Sequence, residues 1–307
     1  MVNVLPTRPL GRTGLEVSVI GLGALEIGRD WAADVDPDPH HLAESDAINF
    51  VHEVLDLGIN FIDTAPAYWY SEEFLGKALR GRRDKVILAT KVGEHCDPSG
   101  SVYDYSFDAT LRFIDRSLER LGTDYIDLVQ IHSAPLEVLE RGETYSALEK
   151  AKKDGKVLHI GMTGGVQECR RAIELGVYDT VQVPYNLLNI AAERDVLPLA
   201  ANRQVGVIVM RGLAGGKLTS KYRNLQDELL RRKISSFERF VGPGKATDLA
   251  HLAVGYLLAS PEVSTVIVGS RKAEHVRNNI KAALDPLPAS LVNELRAHAA
   301  SLDSHVW

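Results

Sequence analysis

Asp63, Tyr68, Lys91 and His132 are an acid, a phenol, an amine and an imidazole, and they follow short apolar runs in the first half of the chain. Phe61-Ile62-Asp63-Thr64-Ala65 leads into Tyr68, Val86-Ile87-Leu88-Ala89-Thr90 runs into Lys91, and Ile126-Asp127-Leu128-Val129-Gln130-Ile131 ends at His132. Brought to one place, these groups form a proton-transfer device. A free phenol has a pKa of about 10 and is a reluctant acid near neutrality. A neighbouring ammonium stabilises the phenolate and lowers that value, so Lys91 would make Tyr68 a usable general acid. Asp63 would keep Lys91 protonated and limit the cost of burying it. His132 would hydrogen-bond a substrate oxygen beside the phenol. Taken singly, Tyr68 reads as a packed loop residue, His132 as a structural histidine, and Asp63 with Lys91 as a rim ion pair. Their joint placement at successive strand ends favours an enzyme that polarises and protonates a carbonyl while something else delivers hydride.

Such convergence needs strand ends that lie side by side, as at the C-terminal mouth of a (β/α)8 barrel, where catalytic groups collect. Short β-branched runs alternate with amphipathic helical runs almost throughout, which predicts repeated βα units and a parallel sheet. Strand candidates begin near residues 18, 60, 86, 125, 157, 180, 205 and 264. Ser45 is expected to cap a helix carrying Ile48, Val51 and Leu55 and stopped by Gly58, and Ser106 one carrying Leu111, Ile114, Leu118 and Leu121 and ended by Gly122. Three segments break the rhythm. Pro9 to Val19, with Gly11-Arg12-Thr13-Gly14 inside it, reads as an N-terminal β-hairpin before the barrel. Arg29 to His41 reads as an acidic loop, and Arg211 to Thr247 is a long excursion after the seventh strand, of the kind that forms lids or binding loops. Residues 1–307 are expected to form one α/β TIM barrel domain.

The net charge of −6 gives no general attraction to nucleic acid or to an anionic membrane. Met1 to Arg12 lacks the apolar core of a secretory signal, and no run is long enough to span a bilayer. Cys96 and Cys169 follow no metal or redox spacing, which suits free thiols and a cytoplasmic location. His40-His41 has no partner spacing that would support a metal site.

The chemistry-bearing segments resemble the aldo-keto reductase family, of a bacterial type. Asp63-Thr64-Ala65-Pro66-Ala67-Tyr68 followed by Ser71-Glu72 is similar to its tyrosine motif, and Ala89-Thr90-Lys91 and Leu128-Val129-Gln130-Ile131-His132 to its lysine and histidine motifs. The likeness runs from the Gly11 to Gly14 hairpin to the last βα unit. It implies a barrel that uses NADPH, with NADH a possible substitute, to reduce aldehydes or ketones, or to oxidise alcohols in reverse. Tyr68 would be the proton donor, Lys91 and Asp63 would tune it, and His132 would orient the carbonyl. Gln182 matches the glutamine that holds the nicotinamide carboxamide, while Thr163-Gly164 keeps the hydroxyl of the usual Ser-Asn pair and loses its amide. Met210-Arg211 stands where many members offer a stacking tyrosine; Met210 would pack on the ring and Arg211 approach the phosphates. In Leu213-Ala214-Gly215-Gly216-Lys217 the glycines would admit the pyrophosphate, with Lys217 a candidate contact. Gly269-Ser270-Arg271, His275 and Asn279 resemble the adenosine-phosphate motif. Arg271 and Ser270 are suited to a 2′-phosphate, and Asn279 to the adenine edge.

For the substrate, Trp69 replaces a usual glycine directly after Tyr68, and with Trp31 it is expected to give an aromatic-rimmed pocket for small or flat carbonyl compounds. Two other classes compete. A binding or sensor barrel would keep NADPH with little turnover, and a barrel aldolase would use Lys91 as a Schiff-base amine. The aldolase has no need of Gln182, Arg271 and Asn279.

Overall fold

The computed structural model describes residues 5–30, 40–97 and 100–302. Twelve strands occur among them: Thr7–Pro9 (β1), Glu16–Ser18 (β2), Ile20–Gly23 (β3), Phe61–Asp63 (β4), Ile87–Val92 (β5), Glu94–Asp97 (β6), Gly100–Tyr103 (β7), Ile126–His132 (β8), Val157–Thr163 (β9), Thr180–Pro184 (β10), Gly206–Met210 (β11) and Val263–Gly269 (β12). Eight of these close a barrel in the order β10-β11-β12-β3-β4-β5-β8-β9, and every neighbouring pair is parallel. The expected (β/α)8 architecture is therefore the observed one. The first barrel strand starts at Ile20, two residues later than expected, because Val17 and Ser18 belong to the hairpin strand β2.

Strand side chains alternate with a period of two, so one set faces the barrel interior. Leu10, Val17, Phe61, Ala89, Leu128 and Ile208 form an apolar cluster of their own inside the barrel. Two residues further along each strand, the same face turns polar, with Asp63 after Phe61, Lys91 after Ala89 and Gln130 after Leu128. The N-terminal hairpin supplies the floor. β1 and β2 pair antiparallel around the short turn Gly11–Thr13, and a side chain at Gly11 would collide with the backbone of Gly206 at 2.2 Å. Arg8 ties the hairpin down by donating to the carbonyls of Leu258, Ser260 and Val263 at 2.6, 2.9 and 2.7 Å.

The helices wrap this barrel with the expected period but not always the expected cap. Helix Phe107–Leu121 begins under the Ser106 side chain, which accepts from the Ala109 amide, and ends at Gly122 in the left-handed region. Its buried stripe runs through Phe113, Ile114, Ser117 and Leu121, with Leu111 and Leu118 on the flank. Helix Glu44–Asp56 starts one residue before Ser45, which therefore caps nothing; Ala43 precedes the helix with no side-chain cap. There too the stripe is centred on Ala47, Phe50, Val51 and Val54, flanked by Ile48 and Leu55.

Two insertions lie outside the βα rhythm. The long excursion after β11 holds helix Glu228–Ser235 and two short turns, Ser220–Asn224 and Glu238–Phe240, and it buries Tyr222, Leu230, Ile234, Phe237 and Phe240. It is a packed subassembly rather than a bare loop. The second, the antiparallel β6–β7 hairpin directly after β5, has no counterpart in the sequence reading. Among the described residues no helix is long and apolar enough to cross a membrane.

Candidate active site

Asp63 and His132 are the last residues of β4 and β8, Lys91 is the last but one of β5, and Tyr68 closes the turn Pro66–Tyr68 that follows β4. All four meet at the C-terminal mouth. The Lys91 side chain is only 1% exposed, and its ammonium donates to Asp63 Oδ2 at 2.7 Å, to the Thr64 carbonyl at 2.8 Å and to the Tyr68 hydroxyl at 3.2 Å. An ammonium has three protons, so these bonds use all of them. Because Lys91 donates to the phenol oxygen, the phenol's own proton is left to point elsewhere.

The loop around Thr64 is fixed from behind. Thr64 and Ser71 share a hydroxyl hydrogen bond of 2.9 Å, and Ser71 donates to the Ala24 carbonyl at 2.7 Å. Gly28 lets the backbone of Ser71 approach so closely that a Cβ there would lie 2.1 Å from its amide nitrogen. Asp63 is held from the barrel interior, where Gln130 Nε2 donates to Oδ1 at 3.0 Å and Gln182 Nε2 reaches Oδ2 at a long 3.5 Å.

Burial alone would lower the Lys91 pKa, but Asp63 and Tyr68 beside it reverse the balance and hold it above the usual lysine range. A charged, fully bonded ammonium is a poor nucleophile, which argues against a Schiff-base role. Tyr68 departs from the sequence expectation. Burial raises its pKa, Lys91 pulls it down, the Asp63 charge raises it again, and the net direction is up. The phenol therefore stays protonated at neutral pH, because losing solvent outweighs gaining one ammonium.

His132 faces the Tyr68 ring edge-on, with centroids 6.0 Å apart. Burial, with the Lys91 charge, lowers its pKa despite the carboxylate of Glu94, whose Oε2 lies 2.9 Å from Nδ1. That approach is close but not in line with a ring N–H bond. Burial pushes Glu94 upward, yet His132, Ser101 and Tyr103 outweigh it and bring its pKa to about 2. Gly93, at φ +96°, makes the turn that returns the chain over the site, and a Cβ there would sit 2.3 Å from the Tyr105 ring. Sequence reasoning missed Glu94 and Gln130. Gln130 was discoverable, since it lies two residues before His132 and thus on the same strand face. Glu94 was not, because its position depends on the unforeseen hairpin.

The residues proposed for a nicotinamide cofactor lie on β9, β10 and β11, in the segment after β11, and from the end of β12 into the helix Ala273–Leu284. Gln182 is 2% exposed, and its buried Oε1 has no hydrogen-bond partner among the described residues, which leaves it able to accept from an amide donor. That orphan fits a carboxamide. Thr163 is buried beside it in register, and its hydroxyl contacts Met210 Sδ at 3.8 Å. Arg211 and Ala214 have φ of +57° and +52°, Gly215 follows at +66°, and Leu213 and Lys217 belong to the same turn, Lys217 being buried. Beyond β12, whose last residue is Gly269, the Ser270 hydroxyl accepts from the Lys272 amide and lies 3.3 Å from His275 Nδ1. Asn279 is buried on the helix Ala273–Leu284, and Arg271 donates to the His40 carbonyl, bridging to the preceding loop. Trp69, at φ +51°, packs near the Arg29 guanidinium at 5.9 Å and edge-on to His41 at 6.3 Å. Trp31 lies outside the described residues.

The chain is similar to known proteins over most of its length. A profile described as Aldo/keto reductase family matches residues 19–300. L-galactose dehydrogenase of Arabidopsis thaliana is 32% identical over 91% of this chain and 88% of its own length. NADH-specific methylglyoxal reductase of Escherichia coli is 29% identical over 94% of this chain and 97% of its own. The holo form of an aldo-keto reductase of Bacillus halodurans superposes with a TM-score of 0.84 at 29% identity, covering 99% of this chain and 98% of that one.

Removing one partner of a buried ion pair strands the other charge. Asp63→Ala is expected to lower unfolding stability by about 3–5 kcal/mol in urea titrations. Adding Lys91→Met to that variant should recover much of the loss, and a single-variant cost below about 1 kcal/mol would put the pair on the level of a surface bridge.

Proposed function

Because the chain belongs to the aldo/keto reductase family and is therefore an oxidoreductase of the NAD(P)H-dependent, carbonyl-reducing kind, we propose that Tyr68 is its proton donor and that Lys91, Asp63 and His132 complete the catalytic set. The observation that carries this reading is the 3.2 Å bond from Lys91 to the phenol oxygen, made by an ammonium that is itself anchored on Asp63. The bound nicotinamide supplies a hydride for reduction and takes one up for oxidation.

In the proposed reduction the nicotinamide would supply a hydride to the carbonyl carbon, and negative charge would develop on the carbonyl oxygen. Tyr68 gives its proton to that oxygen, and Lys91 stabilises the phenolate left behind. Donors aimed at a developing oxyanion act strongly in a water-poor site. Gln182 would hold the carboxamide through its Oε1, with Thr163 and Met210 bounding the same space. The turn containing Arg211, Leu213, Gly215 and Lys217 would hold the pyrophosphate. Gly269, Ser270, Arg271, His275 and Asn279 would receive the adenosine end.

We favour NADPH over NADH because a guanidinium and a hydroxyl suit a 2′-phosphate. The E. coli relative named for NADH specificity keeps the alternative open to test. Small, oxygen-rich carbonyl compounds or the matching alcohols are the proposed substrates, in line with the names of two relatives, an L-galactose dehydrogenase and a methylglyoxal reductase. Neither Cys96 nor Cys169 forms a disulfide among the described residues, which is in keeping with the reducing, cytoplasmic setting proposed here.

Tyr68→Phe is expected to keep the fold and cofactor affinity while losing about 10²–10⁴-fold of carbonyl reduction, the usual worth of a general acid. Steady-state NADPH oxidation with a panel of small aldehydes and ketones reads this out, and near-normal turnover would remove Tyr68 from the role. For the cofactor, Arg271→Ala should weaken NADPH binding by at least about tenfold more than NADH binding, as loss of a charge-assisted phosphate contact implies. Equal weakening in fluorescence titrations would reject the 2′-phosphate assignment.

A further inference from the structure

Glu72 carries a carboxyl group that the chemistry at the mouth does not use, yet no part of its side chain reaches solvent. It is the second residue of the helix Ser71–Ala78, directly after the Ser71 that braces Thr64. The Thr90 hydroxyl donates to its Oε1 at 2.7 Å, and Arg120 of the helix Phe107–Leu121 reaches its Oε2 at a long 3.5 Å. Gly76 permits that close approach of the two helices, since a Cβ there would lie 2.3 Å from the Arg120 carbonyl oxygen. Burial holds the Glu72 pKa above the usual carboxylate range, against the opposing pull of Thr90 and Arg120. Filling the space between a strand and two helices needs only an apolar side chain, and a buried carboxyl costs more than one. What the carboxyl adds is a fixed acceptor for Thr90.

Thr90 is the residue before Lys91. Side chains alternate along a strand, so Thr90 leaves the outer face of β5 where Lys91 leaves the inner one. Glu72 therefore holds the strand from outside at the step from which the lysine departs. Ser71 holds the other end of the same contact: its hydroxyl shares a 2.9 Å bond with Thr64, whose carbonyl accepts from Lys91 at 2.8 Å. The Thr64 amide also donates to the Ala89 carbonyl at 2.9 Å. One helical turn thus references both the base of Lys91 and one of its three acceptors.

We propose that Glu72 is a positioning residue for Lys91: by holding Thr90 from behind β5, it sets the reach of the ammonium to the Tyr68 hydroxyl. This rests on the reductase reading above and deepens it. The bond from Lys91 to Tyr68 is the longest of the three at 3.2 Å, so a small shift of β5 breaks it before the bonds to Asp63 and Thr64. Glu72 acts on rate rather than on substrate affinity, because its side chain is sealed behind the strand.

The test uses the full-length protein. Glu72→Leu fills the space without an acceptor, Glu72→Gln keeps an acceptor of the same length, and Lys91→Met removes the group acted on. Glu72→Leu is expected to lose about ten- to a hundredfold in kcat, as a misplacement of about 1 Å implies, with KM nearly unchanged. Glu72→Gln should keep most of the wild-type kcat. In a Lys91→Met background the Glu72→Leu loss should disappear, because the lysine through which it acts is gone. Equal losses in both backgrounds, or a Gln variant no better than Leu, would mark a residue that merely braces the helices and would reject the assignment. Thr90→Val removes the same bond from the strand side and should reproduce the kcat loss; a wild-type kcat there overturns the proposal even if Glu72→Leu does not fold. A crystal structure of Thr90→Val gives a readout free of turnover. Lys91 Nζ is expected out of hydrogen-bond reach of the Tyr68 hydroxyl, and an unmoved ammonium contradicts the proposal. Full activity of Tyr68→Phe would instead overturn the reductase reading while leaving that structural result standing.

Discussion

The Lys91 ammonium is a charge that this barrel has taken out of water, and the top of the structure is arranged to make that tolerable. A buried cation without partners costs several kcal/mol, or else gives up its proton. Here three acceptors from three places meet it: a carboxylate at the end of β4, a backbone carbonyl in the following loop and a phenol at the end of that loop. Satisfying the lysine therefore fixes the path of the chain from Asp63 to Tyr68. The same requirement explains why Asp63 is braced by Gln130 and Gln182, and why Thr64 and Ser71 are tied to Ala24.

Desolvation runs through the other groups as well, with different outcomes. Lys91 keeps its proton because an anion touches it, whereas Tyr68 keeps its proton because one ammonium does not repay the lost water. His132 is pushed toward the neutral form in the same low-dielectric space, and Glu94 is held ionised beside it. The resting mouth thus contains a charged amine, a neutral phenol, a neutral imidazole and two carboxylates. That set is suited to giving up a phenolic proton as negative charge develops on a substrate oxygen.

Much of this was legible in the sequence, and the reasons differ by element. The eight barrel strands stand out because each is a short apolar run bounded by polar turns. Asp63, Lys91 and His132 could be placed because strand ends define the mouth. Helix Phe107–Leu121 was readable from a serine cap and a terminal glycine, both local features. Ser45 misled because a capping residue type inside the first turn has the same sequence signature as one just before it. The direction of the Tyr68 shift was not legible, since it depends on how much solvent the fold removes from the phenol. Glu94 was hidden for a related reason. Only the turn at Gly93 and the β6–β7 pairing bring it back over His132, and neither follows from periodicity.

The central claim is that a buried, Asp63-anchored ammonium makes Tyr68 an effective acid for hydride transfer to a carbonyl. The most direct test is a single-turnover measurement in which Lys91→Met, with cofactor prebound, is mixed with an aldehyde that the wild-type protein reduces. A hydride-transfer rate at least about a hundredfold below wild type, with cofactor affinity unchanged, is the expected result. A rate equal to wild type would mean that the phenol works without the ammonium, and the pairing at the mouth would be structural only.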